Sequence, residues 1–413
     1  MVRTPSLFTP VLIVGCLIII VSFGIRASFG LFQIPIAEDL GWMRADFSIA
    51  IAIQNLAWGV GQPFFGALAE RIGDRKALLL GALLYVIGLL LSAEATTPFA
   101  MQQLSWLVGF GVAGTGFGVI LAMVARSSSD ANRSMALAIT TAAGSAGQIF
   151  APPLTEALLA VMPWQSVFVV FAGMVAASML LLPAMRAPGP TSATEIREDF
   201  GAMLSRVARD PNFGLIALGF FSCGYHVAFL TAHFPAFVTE RCGPVAPGGL
   251  LDSIGITTTS ALGALTISVI GLFNIVGTLA AGWAGNRVPK KYLLSSIYAG
   301  RAVASVIFIL TPMTPETVLV FAAVMGILWL ATVPLTSGLI AHIFGLRHLG
   351  TLVGLVFLSH QLGSFLGVWL GGRLYDVTGD YTLVWWIGIA VGTVSALVHL
   401  PIEERPAPVP NPA

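Results

Sequence analysis

The chain is short of charge. Only 9% of its 413 residues are Asp, Glu, Lys or Arg, against roughly 25% in an ordinary soluble domain, and Lys and Arg form no run. The basic face that phosphate binding needs is missing, which excludes a nucleic-acid partner. Cysteine is scarce too: Cys16, Cys223 and Cys242 are too few for a disulfide framework. The G-x-x-x-x-G-K-[ST] phosphate cradle is absent, so the expected energy source is an ion or substrate gradient rather than ATP. The six His are dispersed and no H-E-x-x-H occurs, which argues against a membrane enzyme and against a bound metal. No cofactor is expected.

What is abundant is apolar surface. Hydrophobic residues make up 56% of the chain, mean hydropathy is +0.90, and 45 Gly and 24 Pro are spread through the apolar runs. That is the composition of a polytopic helical membrane protein. Apolar stretches near 20 residues predict spans at 10–38, 45–68, 77–94, 98–125, 134–158 and 165–185, and again at 213–238, 258–284, 292–311, 316–342, 350–374 and 382–401. The expected fold is therefore all-α and integral to the membrane: twelve transmembrane helices in two pseudo-symmetric six-helix bundles, residues 1–185 and 213–413. Segment 186–212 reads as a cytoplasmic linker, because it opens with APGPTSAT and then becomes charged. Within it Phe200, Leu204 and Val207 recur at i, i+4 and i+7, the spacing of a short amphipathic helix lying on the membrane surface.

Fifteen of the twenty Lys and Arg fall on one side of these spans, which puts both termini in the cytoplasm. The halves also repeat. GALAERIGDRK at 66–76 returns as GWAGNRVPKK at 282–291, with Gly66 over Gly282, Arg71 over Arg287 and Arg75 over Lys291, and TTPF at 96–99 corresponds to MTPE at 313–316.

Gly66, Glu70, Arg71, Gly73, Arg75 and Lys76 resemble the G-x-x-x-D-R-x-G-x-R-[RK] loop of the major facilitator superfamily, with Glu70 in place of the usual Asp. The resemblance implies that this loop, with Arg287 as its counterpart, helps to latch one conformation; a charge cluster that merely sets topology is the competing reading for Arg75 and Lys76. GGRLYDVTGDY at 371–381 resembles the signature closing helix 11 in monocarboxylate transporters, and Arg133, Ala136, Gly144, Gly147, Pro152 and Pro153 resemble the fifth helix of the monocarboxylate and oxalate/formate branch. Two features of many animal members are missing, the Asp-Gly-Gly-type opening of helix 1 and the Asp and Arg pair of helix 8, where Asn274 and Thr278 stand instead. The intramembrane Arg that drug/proton exchangers carry on helix 4 is also missing.

A charge at bilayer depth costs about 2.5–3.5 kcal/mol, so each one needs a partner or a water-filled cavity. Two arginines and no carboxylate fall deep in the predicted spans. Arg26 shares a helical face with Ser22, Gly30 and Gln33, and its guanidinium suits two-point reception of a substrate carboxylate; an Arg bonded to backbone carbonyls between helices is the alternative. Arg301 lies on a polar face with Tyr298 and Ser305, where substrate contact and interhelical packing are both open. His360, with Gln361 alongside, leads a stripe on helix 11. Its unperturbed pKa of about 6.5 suits a proton carrier, and neutral packing between helices competes. His226 and His233 share a face with Ser222 on helix 7, directed toward the cavity by the resemblance. Gln54, Asn55, Trp58 and Gln62, Gln148, and Trp329 and Thr332 are further candidate liners, with helix–helix hydrogen bonding as the competing role.

The expected function is a secondary transporter of a small organic anion, a monocarboxylate foremost, working by alternating access with proton coupling or anion exchange. Export of a hydrophobic or cationic compound is the alternative, disfavoured by a positive cavity without acids. The expected setting is a monomer in the lipid bilayer of a bacterial inner membrane, with a small carboxylate and protons as partners.

Overall fold

The computed structural model describes residues 7–129, 132–186, 205–345 and 349–405. These residues form twelve helical spans: α1 (Pro10–Leu40), α2 (Arg44–Ile72), α3 (Asp74–Ala93), α4 (Pro98–Ser127), α5 (Arg133–Leu159), α6 (Trp164–Ala184), α7 (Pro211–Arg241), α8 (Thr259–Ala284), α9 (Lys290–Leu310), α10 (Pro315–Phe344), α11 (Leu349–Thr378) and α12 (Thr382–His399). Ten are long and apolar enough to cross a membrane. The other two, α2 and α5, are as long but carry more polar side chains, and both lie between the halves. The face bearing the first residues of α1 and the last of α12 is here the terminal face, and the opposite one the distal face.

The first and fourth helices of each half start on one local device. Thr9, Thr97, Asp210 and Thr314 precede Pro10, Pro98, Pro211 and Pro315, and each side chain accepts a hydrogen bond from a first-turn amide, at 3.1, 3.3, 2.8 and 3.3 Å. Proline fits there because the first turn has no acceptor for its missing N–H, while the cap satisfies an orphan donor.

Three spans are interrupted, which the apolar runs did not reveal. α1 passes through a 3-10 turn at Phe29–Phe32, α4 breaks at Gly116, and α10 breaks between Leu328 and Thr332. Helix ends inside a membrane must find partners for the freed backbone groups. At the α10 break, Arg301 of α9 donates to the carbonyls of Leu328 (Nε at 3.0 Å, Nη2 at 2.6 Å) and Trp329, while Asn274 of α8 accepts from the Leu330 amide at 3.0 Å. Cys223 of α7 lies 3.3 Å from the Thr332 hydroxyl. At the α4 break, Thr115 bonds Ser22 of α1 at 2.8 Å, and Tyr85 of α3 donates to the Ser22 carbonyl at 3.2 Å. Counted from the first residue of their helices, Ser22, Tyr85 and Thr115 occupy the positions of Cys223, Arg301 and Thr332. The same pairing recurs on the terminal face, where Arg75 donates to the carbonyls of Pro183 and Met185 at the end of the sixth span, and Lys291 to those of Leu400 and Ile402 past the twelfth.

Each half has its own hydrophobic core, one built on Phe32, Phe47, Tyr85 and Phe168, the other on Phe234, Phe308, Phe321 and Trp385. Between the halves α2 packs on α11, α5 on α8, and α7 on the 3-10 turn of α1. The predicted amphipathic helix lies mostly outside the described residues; of its three apolar positions Val207 is described, and it is buried in the second core.

Candidate functional site

Arg26 leaves the wall of α1 one turn before Gly30 and faces a cavity of about 20 Å3 at the centre of the molecule, lined among others by Gln54, Asn55, Trp58, Val112 and Thr231. Its Nη2 donates to the Asn55 side-chain oxygen at 2.9 Å, and its guanidinium stands 4.7 Å from the centre of the Trp58 ring. Asn55 is itself fixed by donation to the Ile51 carbonyl at 3.0 Å, and Trp58 by donation to Gln62 at 2.9 Å. Phe23 and Phe357 meet the Trp58 ring edge to face from either half. Arg26 is thus bounded by a ring and an amide, and the residue is half-buried and lines the cavity. No Asp or Glu lines the cavity. A cavity of that size holds about one water.

Of the candidates read from the sequence, the structure gathers Arg26, Gln54, Asn55 and Trp58 here. The others lie elsewhere. Gln33 is fully buried and donates to Ser48 at 3.1 Å. Gln148 packs at the α5–α8 contact, its Cβ pressed against Gly271. His226 turns to the Gly388 carbonyl of α12 at 2.8 Å, and His233 to the Val368 carbonyl of α11 at 2.8 Å and the Tyr381 hydroxyl at 3.3 Å. His360 stacks on Phe357 and reaches the side-chain oxygen of its neighbour Gln361 at 3.3 Å. Trp329 is buried at the α10 break, where its carbonyl accepts from Arg301, and Arg301 is fully buried in that role. Thr231, Ala228 and Ala232 of α7, with Phe29 of α1, complete the cavity wall and were not singled out from the sequence.

The 66–76 segment forms no extended loop: Gly66, Glu70 and Arg71 end α2, Gly73 with φ of 92° makes the turn, and Arg75 sits in the first turn of α3. Glu70 and Arg71 are exposed. The ion pair of this corner is Asp74 with Arg126 at the end of α4, at 2.6 Å. Arg287, in the turn that follows α8, folds back over Trp283 of that helix.

On the distal face the halves are fastened together. The Asp376 carboxylate of α11 accepts from the backbone amides of Arg44 and Ala45 at 2.9 and 2.8 Å, capping the start of α2. Arg44 pairs with Glu240 of α7 and lies over the Tyr375 ring. A side chain at Gly372 would collide with Ser48. Toward the terminal face the last aromatic contact between α2 and α11 is Trp58 against Phe357, and beyond it a Cβ at Gly350 or Gly354 would meet nothing within 4 Å.

The comparisons agree with this architecture. The family model described as Major Facilitator Superfamily matches residues 14–256 and 242–413. The chain is 25% identical over 384 residues to the uncharacterized MFS-type transporter YcxA of Bacillus subtilis, covering 91% of this chain and 90% of that protein. It is 27% identical over 375 residues to monocarboxylate transporter 13 of Rattus norvegicus, covering 87% and 80%. A crystal structure of a D-xylose-proton symporter superposes with a TM-score of 0.72 at 14% identity, over 95% of this chain and 96% of the other. With its spans, its repeated halves and that family match, the chain belongs to the major facilitator superfamily, and it is an integral membrane transporter, not an enzyme.

Proposed function

We propose that the protein is a secondary active transporter of small organic anions, a monocarboxylate foremost, and that Arg26 receives the carboxylate. The observation that carries this reading is an arginine bonded to Asn55 and set beside the Trp58 ring, lining a cavity with no acid in its wall. An unpaired cation at that depth is costly, and an entering anion relieves the cost. The similarity to a protein named monocarboxylate transporter 13 supports the same class. Room for about one water means that substrate enters when the halves part, which is the alternating-access reading; the distal contacts of Asp376 with the start of α2 are its latch between the halves, while the corner of Asp74, Arg75 and Arg126 bonds within its own half. His226 and His233 are engaged with carbonyls and His360 with the side chains of Gln361 and Ser364, so coupling in this reading falls to exchange of anions or to a proton carried with the substrate. In this reading the protein works as a monomer in a bacterial inner membrane, its terminal face is cytoplasmic, and 186–212 joins bundles 1–185 and 213–413.

The test is counterflow in proteoliposomes with labelled formate, oxalate, lactate and pyruvate. Accumulation of one acid in the wild type and its loss in Arg26→Ala is the expected result. Failure to accumulate any acid, or undiminished accumulation in Arg26→Ala, refutes it.

A further inference from the structure

Most polar side chains in the wall of the Arg26 cavity are already spent on protein. Asn55 gives its oxygen to Arg26 and its amide to the Ile51 carbonyl, Trp58 donates to Gln62, and the Thr231 hydroxyl donates to the Val227 carbonyl at 2.7 Å. Gln54 is the exception. It stands on α2 directly before Asn55 and lines the same cavity. The residue is only 7% exposed, yet its amide has no hydrogen-bond partner among the described residues, and neither amide atom is sealed within protein. Its backbone is fixed, since a Cβ at Gly109 of α4 would collide with the Gln54 carbonyl. Buried polar groups are normally paired, and an amide left free beside a cavity at this depth points to a ligand that satisfies it. The cavity that Gln54 shares with Arg26 has room for about one water, so a ligand seated on the guanidinium reaches the amide within a few atoms. Arg26 and Gln54 both belong to the first half, and their juxtaposition is kept when the halves part.

We propose that Gln54 is the specificity-determining residue of this site: with the carboxylate on Arg26, the Gln54 amide bonds a polar group on the adjacent carbon, so that 2-hydroxy and 2-oxo acids are preferred to plain aliphatic acids of the same length. This rests on the anion reading of Arg26. The guanidinium only donates and takes the carboxylate, whereas a carboxamide both donates and accepts. Its oxygen accepts from a hydroxyl, and its NH2 group donates to an oxo oxygen. A plain acid offers the amide neither and leaves it unpaired in the closed site, which is where the discrimination arises.

Labelled lactate counterflow into proteoliposomes of the full chain is measured against unlabelled lactate, pyruvate and propanoate, the last having the length of the other two without the second polar group. In the wild type lactate and pyruvate each compete about tenfold better than propanoate, the worth of one buried hydrogen bond. In Gln54→Met, which keeps the length of the side chain without its amide, that advantage falls to about twofold or less. If the methionine variant does not fold, Gln54→Asn, which draws the amide back by one methylene, is read in the same way. Propanoate as potent as either of the other acids in the wild type, or an unchanged advantage in the variant, overturns the proposal. So does the absence of lactate counterflow where formate or oxalate is carried. Counterflow of no acid at all, or lactate counterflow that survives Arg26→Ala, refutes the underlying anion reading instead.

Discussion

Asp376→Ala should open the distal side. The carboxylate holds two amides at the start of α2, at 2.9 and 2.8 Å, across the boundary between the halves. Loss of an N-cap acceptor costs about 1 kcal/mol, and loss of a negative charge at a helix N-terminus costs about 0.3–1 kcal/mol more. Asp376 is only half-buried, which argues for the lower part of that range, about 1.5 kcal/mol. The ratio of distally closed to distally open molecules should then fall about tenfold. The neighbouring Arg44–Glu240 pair, with side chains 11% and 25% exposed, is a surface ion pair worth about 1 kcal/mol or less, so it does not compensate. Single-molecule energy transfer between dyes on cysteines introduced at Thr96 and Thr257, in a background without the native cysteines, reads the distal separation. Asp376→Asn, which keeps an acceptor but not the charge, should fall between wild type and alanine. A distance distribution unchanged in Asp376→Ala, or displaced toward closure, would refute the argument.

Arg301→Leu should lower thermal stability by about 2 kcal/mol, because the Leu328 and Trp329 carbonyls lose their donor at the break in α10; Arg301→Lys should recover part of this, and a leucine variant melting with the wild type in detergent would contradict the staple role. Cys242, just beyond α7, has its thiol pushed up by burial and then by the Glu316 carboxylate. Less of it is thiolate at neutral pH, so maleimide labelling should be slow near pH 7 and accelerate as pH rises, with Glu316→Gln labelling faster at fixed pH. Rapid labelling at pH 7 with no response to Glu316→Gln would count against this.

The spans were legible because apolar length is written directly in composition, and Arg26 because one cation in an apolar run has no bland place to go. Arg75 and Lys291 could be paired from the 66–76 and 282–291 segments, and both turn out to staple the end of a half. The histidines of α7 show where such reading stops. A spacing of seven puts His226 and His233 on one face, but periodicity says which residues share a face and not what that face meets; here it meets carbonyls of α12 and α11. The break at Leu328–Thr332 was hidden because its partners, Arg301 and Asn274, are distant in sequence and its own residues are apolar.

The two deep arginines occupy unlike places in a repeated plan. Arg301 stands where the first half has Tyr85, and the position of Arg26 is filled in α7 by Val227. One half spends its cation on masonry, and the other keeps its cation for the cavity. The central chamber is therefore handed: α1 and α2 supply the charge and the amides, while α7 offers Ala228, Thr231 and Ala232. A passenger bound by charge belongs to the first wall, and it stays with that wall as the second slides past. The gradients set the direction of flux; the asymmetry of the walls sets which half carries the load, within a scaffold that is nearly the same twice.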